Sequence, residues 1–149
     1  MNLTRKILVS VIITSVLFAA GGCSNEQVEK AYYHDDDVFI RNHTSGIFEW
    51  ESTEYEEVGM ESLFSVGPHE PLYRGVIVLT DEYAQKISEE YEWEEIDFDP
   101  EFSQIDADGY QGPWRTSEQF SLDAAGSKYE PFEYLVFNGD VIMFSLRVR

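Results

Sequence analysis

Carboxylates dominate the chemistry open to this 149-residue chain: 29 Asp and Glu stand against 10 Lys and Arg, for a formal charge of −19, with three histidines and one cysteine. The densest stretch, residues 89–108, holds Glu89, Glu90, Glu92, Glu94, Glu95, Asp97, Asp99, Glu101, Asp106 and Asp108 without a single base. Three readings compete for it: a solvated face that maintains solubility, a docking surface that selects a basic protein or peptide, and a divalent-cation site. Spacing tests the last of these. With Gly109 at the sixth position of an EF-hand loop, Gln104, Asp106 and Asp108 fall at positions one, three and five, but Arg115 falls at twelve, where a carboxylate belongs. The stretch is therefore not an EF-hand, and Asp97, Asp99, Asp106 and Asp108 could gather calcium only from an irregular loop.

His34-Asp35-Asp36-Asp37 with His43 combines imidazole and carboxylate, a donor set suited to zinc or another transition metal. An exposed acidic turn explains the same residues, and no metal or cofactor is expected. His69-Glu70 starts like a zincin helix, but the fifth position is Tyr73, and Pro71 opposes a helix there. The nucleophile elbow, the Walker A loop and the dinucleotide glycine fingerprint are all absent. So many acids place some pair at glycosidase spacing by chance, so the count is no sign of catalysis and the expectation is a protein that is not an enzyme. Nucleic acid is excluded as a partner by a charge that repels phosphates. The tryptophans with the many Tyr and Phe could line a ligand groove, but Trp50 and Trp114 are expected in the core, where aromatic burial contributes about 1.5–3 kcal/mol each. Tyr91 and Trp93 differ, because acids flank them on both sides. The candidate partner surface is thus Glu89, Glu90, Tyr91, Glu92, Trp93, Glu94 and Glu95, with exposed aromatics among carboxylates as the hot spot.

The lone thiol has a different setting. Arg5 and Lys6 precede an uncharged apolar run over residues 7–20, followed by Ala20-Gly21-Gly22-Cys23. As a helix the run would rise roughly 21 Å, short of a bilayer core about 30 Å thick, so the order of charge, apolar run and small residues is that of a secretory signal. This segment resembles the lipobox of bacterial lipoprotein precursors, with Ala20 where Leu is usual. The resemblance covers residues 1–24 alone. It implies a signal peptide at 1–22 and a covalent lipid (diacylglycerol, then palmitate-type chains) on Cys23 as the first mature residue. It also implies residence in the cell envelope, at the cell membrane or outer membrane, on the extracytoplasmic side. Loss of Arg5 and Lys6 would leave 8 bases against 29 acids, a mature charge of −21. Residues 23–31 then form a short tether, and two acyl chains give the durable attachment that one does not.

Residues 32–149 read as one acidic globular domain, with no repeat, low-complexity tract or linker. A hairpin is expected from residues 38–41 and 47–51 around the turn formers Asn42-His43-Thr44-Ser45-Gly46, with Gly46 at positive φ. Leu72 to Leu79 reads as a buried strand. Thr80 is placed to cap a helix whose face carries Tyr83, Ile87 and Tyr91, the one helix expected after the signal. Asn138-Gly139 predicts a type I′ hairpin in which Phe137 faces Asp140, Val136 faces Val141 and Leu135 faces Ile142. One face would carry Leu135, Phe137, Ile142, Phe144, Leu146 and Val148. The other would carry Phe132, Tyr134, Val136, Val141 and Met143, which places the hairpin inside the sheet. The expected fold is α+β, a mainly antiparallel β-sheet with one packed helix.

Charge is uneven along the domain: 24 acids against four bases between Glu26 and Asp108, a local sum of −20, and five against four thereafter. The leading functional expectation is a membrane-anchored, extracytoplasmic binding module whose acidic surface holds a basic protein or peptide, in an immunity-type or accessory role. A small-ligand or divalent-cation-binding lipoprotein and an envelope hydrolase are the alternatives.

Overall fold

The computed structural model describes residues 28–61, 70–126 and 131–148. The signal segment, Cys23, the start of the tether and His69 lie outside the described residues. In chain order the elements are β1 (Val28–His34), α1 (Val38–His43), β2 (Trp50–Glu61), β3 (Leu72–Leu79), α2 (Asp81–Glu90), β4 (Glu94–Ile96), β5 (Trp114–Thr116), α3 (Glu118–Ala125), β6 (Tyr134–Phe137) and β7 (Val141–Arg147). The strands form a single antiparallel sheet in the order β1-β2-β3-β7-β6-β5-β4. The fold is α+β and mainly antiparallel.

Apolar residues alternate across the central strands, so both faces of the sheet need cover. All three helices pack on one face. Phe39 and Ile40 of α1, Tyr83, Ala84 and Ile87 of α2, and Phe120 and Ala124 of α3 meet Tyr55, Ile77, Leu135, Phe137, Ile142, Phe144 and Leu146 of the sheet. The opposite face carries Val76, Val136, Val141 and Met143, and is covered by the irregular residues 97–113 with Ile105 and Phe102, together with Trp114.

The helix expected after Thr80 is present as α2, with Tyr91 at its C-cap rather than within it, and the Thr80 hydroxyl accepts from the Tyr83 N–H at 3.3 Å. The expected single helix is corrected to three among the described residues. Residues 38–41, read as the first strand of a hairpin, are helical and continue through Asn42 and His43 of the expected turn. The Asp36 carboxylate accepts from the Val38 N–H, Arg41 pairs with Asp37 one turn earlier, and the Thr44 hydroxyl donates to the Ile40 carbonyl at 2.7 Å. These local side-chain bonds outweigh the β-branched composition. Helix α3 carried signals of its own: the Ser117 hydroxyl accepts from the Phe120 N–H, and Gly126 ends the helix at φ 67°. Gly46 adopts positive φ, 78°, as expected, although it does not turn a hairpin.

The terminal hairpin lies inside the sheet, between β3 and β5, with its two faces sorted as expected apart from Phe132. Phe132 packs against the helix-side core instead. The register differs by two residues. Phe137 faces Ile142, Val136 faces Met143 and Leu135 faces Phe144. Asn138 does not take positive φ; its amide oxygen accepts from the N–H groups of Asp140 and Val141 at 3.0 and 2.8 Å. That bonding moves the turn centre to Gly139-Asp140, with Gly139 at φ 118°. A shift of two preserves which face each side chain takes, so the core is unaffected.

Candidate functional site

A groove of about 770 Å³ opens where the end of α2 and β4 meets the start of α3. Its walls carry Glu90, Glu92, Glu94 and Glu118, with Tyr91 and Leu122 between them, and no lysine, arginine or histidine is among its lining residues. Glu90 is the last residue of α2, and Tyr91 caps that helix by donating its N–H to the Ile87 carbonyl at 3.3 Å. The chain then turns into β4, whose residues are all exposed. Helix α3 supplies the facing wall, and Ser45 fixes its far end. The Ser45 N–H donates to the Ala124 carbonyl at 2.8 Å, and its hydroxyl to the Asp123 carbonyl at 2.6 Å.

Tyr91 is half-buried rather than displayed. Its ring meets Phe120 edge-on at 5.0 Å, and its hydroxyl donates to Asp123 Oδ2 at 2.9 Å. Burial first, and then that bond, push the phenol up to about 12. Leu122, by contrast, is 57% exposed, an apolar spot in an acidic surround.

The sequence-predicted surface is thus split. Glu90, Tyr91, Glu92 and Glu94 share the groove. Glu89 lies outside it on the exposed shoulder of α2, accepting from Gln85 Nε2 at 3.0 Å, and Glu95 faces Arg115 across the ladder. Trp93 is not the exposed hot spot expected. Its Nε1–H donates to the Ile87 carbonyl at 2.9 Å, and its ring packs on Phe120 and Phe137, 5.3 and 4.9 Å away. The Arg115 guanidinium lies 6.0 Å over it. Local charge density could not show that a tryptophan between carboxylates turns inward, because core partners lie far along the chain. Glu118 and Leu122 were missed for the same reason. The N-cap Ser117 and the apolar spacing of Phe120 and Ala124 could have revealed α3, and with it Leu122 on the outer side.

The carboxylate–histidine candidates have structural partners. Asp36 Oδ1 accepts from the Tyr55 hydroxyl at 3.0 Å, His34 stacks on Tyr55 at 4.7 Å, and His43 stacks on Phe39 at 4.5 Å. Arg41 holds the Asp37 carboxyl below its ordinary range. Asp97, Asp99, Asp106 and Asp108 are exposed, and Asp106 Oδ1 accepts from the Asp108 N–H at 3.2 Å. Among the described residues no three His, Cys, Asp or Glu gather closely enough to hold a metal ion.

One acid behaves unlike the rest. Glu56 on β2 is fully buried; it pairs with Arg74, its ladder partner on β3, and accepts from the N–H groups of Ser103 and Gln104 at 3.0 and 2.7 Å. A buried carboxylate supplied with a counter-ion and backbone donors is satisfied rather than reactive. It pins residues 97–113 to the sheet. In sequence Glu56 is indistinguishable from its acidic neighbours.

No family model, curated protein or solved structure matches this chain.

Proposed function

We propose that the protein is a non-enzymatic binding module, held by a lipid on Cys23 at the extracytoplasmic face of a membrane, whose acidic groove takes a basic protein or peptide. The observation that supports this reading is the groove itself: Glu90, Glu92, Glu94 and Glu118 from separate elements surround the exposed Leu122. Such a site matches a segment with lysines or arginines around one aliphatic side chain. The carboxylates steer and select, and the apolar contact resists salt.

The test uses a labelled peptide with lysines flanking a leucine, titrated against the full chain. Exposed ion pairs contribute about 0.2–1 kcal/mol each, so changing Glu90, Glu92, Glu94 and Glu118 to Gln together should weaken binding about tenfold or more. Raising salt from about 0.05 to 0.3 M should weaken the parent protein's binding similarly. Binding indifferent to both changes would reject the groove. A rise in melting temperature with calcium alone would instead support the cation-binding alternative. Anchoring has a separate readout: Cys23→Ser should release the protein from membranes or leave it as an uncleaved precursor.

A further inference from the structure

Residues 97–113, the strap over the loop side of the sheet, are fastened at two points. Glu56 holds the backbone of Ser103 and Gln104, and the Asn138 amide holds Gln111, its Nδ2 donating to the Gln111 carbonyl at 2.9 Å. The other atom of that amide is engaged as well. Oδ1 accepts from the N–H groups of Asp140 and Val141 at 3.0 and 2.8 Å, which also settles which end of the amide is nitrogen. Asn138 precedes Gly139, and this pair carries a chemistry of its own. Glycine has no side chain to shield its nitrogen. When the asparagine side chain is free to turn, the Gly139 nitrogen attacks Cγ of Asn138, the Cγ–Nδ2 bond breaks, and Nδ2 leaves as ammonia with the proton that Gly139 gives up. Water then opens the imide ring at either carbonyl, leaving aspartate or isoaspartate.

Water reaches this turn, since Asn138 and Gly139 are partly exposed and Asp140 is exposed. What opposes the reaction is the bonding of the amide: both of its polar atoms must let go of backbone partners before Cγ can turn and Nδ2 can depart. One of those partners belongs to the strap. We propose that Asn138 is a deamidation site gated by residues 97–113, locked while they are docked and reactive once they lift. The product does not restore the lock. An aspartate at this position keeps acceptors for Asp140 and Val141, but it has no hydrogen for the Gln111 carbonyl and sets a carboxylate against that oxygen. Isoaspartate also lengthens the backbone inside a turn where the Asn138 N–H meets the Val141 carbonyl at 3.1 Å. A lifting of the strap is thereby recorded covalently, and the strap stays loose at Gln111 afterwards.

Peptide mapping of the full chain tests the gate. At mildly alkaline pH the conversion of Asn138, read as mass shift and isoaspartate content, should run at least about tenfold slower in the folded protein than in urea, because the folded rate is the unfolded rate multiplied by the open fraction. Glu56→Gln loosens the other fastening and should raise the folded rate at least about fivefold, with the circular dichroism of the helices retained. Asn138→Asp, the direct product, should bring new protease cleavage within residues 105–113 while leaving the helix side protected, and it decides the second fastening even where Glu56→Gln proves too unstable to compare. A folded rate within about twofold of the unfolded one, or no response to Glu56→Gln in a folded variant, would overturn the gate. An unchanged cleavage pattern in Asn138→Asp would overturn the fastening at Gln111. None of these readouts involves the acidic groove, so either proposal can fail alone.

Discussion

Both faces of the sheet bury apolar side chains, yet they are covered by opposite means. Three capped helices close one face with Phe39, Tyr83, Ile87 and Phe120. Residues 97–113, without regular structure, close the other around a single buried carboxylate, Glu56, bonded to Ser103 and Gln104. A helix satisfies its own backbone and needs only an apolar stripe to dock. A loop laid on a sheet must find partners for its peptide groups, and here an ionised side chain from the sheet provides them. The helix face should therefore fail by losing packing, and the loop face by losing one charge.

The largest effect is expected on the helix face. Phe120 is fully buried against Phe48, Tyr91 and Trp93, and Phe120→Ala should cost about 3–5 kcal/mol in urea denaturation, with the groove wall weakened as well. Glu56→Gln comes next. It removes the counter-ion of Arg74 and should cost about 3 kcal/mol, with new protease cleavage confined to residues 97–113 and the helix face intact. Cleavage spread evenly over both faces would erase the distinction. The smallest effect appears only in alkali. Burial, the first cause in each case, pushes Tyr55 and Tyr91 on the helix side and Tyr134 on the loop side up to about 12 from an ordinary 10.0. A folded state that holds its phenols protonated keeps their full contribution below pH 10 and loses it as pH rises from 10 to about 12. Tyr134→Phe should flatten that decline in the urea midpoint, while tyrosinate absorbance at the remaining phenols should still lag that of the unfolded chain.

The same contrast explains what was legible from sequence. β3, α2 and the two faces of the terminal hairpin follow from period, caps and β-branched composition, which are local. α1 was not legible, because six residues carry less than two turns of period and Val38-Phe39-Ile40 reads as strand. The hairpin register depended on an amide oxygen choosing two backbone donors. At the candidate site, the run from Glu90 to Glu94 was visible as contiguous charge. Its opposite wall, Glu118 and Leu122, and the inward turn of Trp93 depended on tertiary neighbours that spacing does not encode. Glu56 was hidden most completely, since nothing local separates a buried acid from a solvated one.

The placement of Glu56 bears on how the chain avoids misassembly. Its acceptors are of use only when β2 lies in register with β3, so that Arg74 arrives directly opposite. A slip of one residue along β2 would turn that carboxylate into the aromatic layer beneath the helices, stranded without donors, and would swing Tyr55 out to the wrong side. A single acidic side chain thus penalises the mispaired sheet, while the residues around it serve only the correct one.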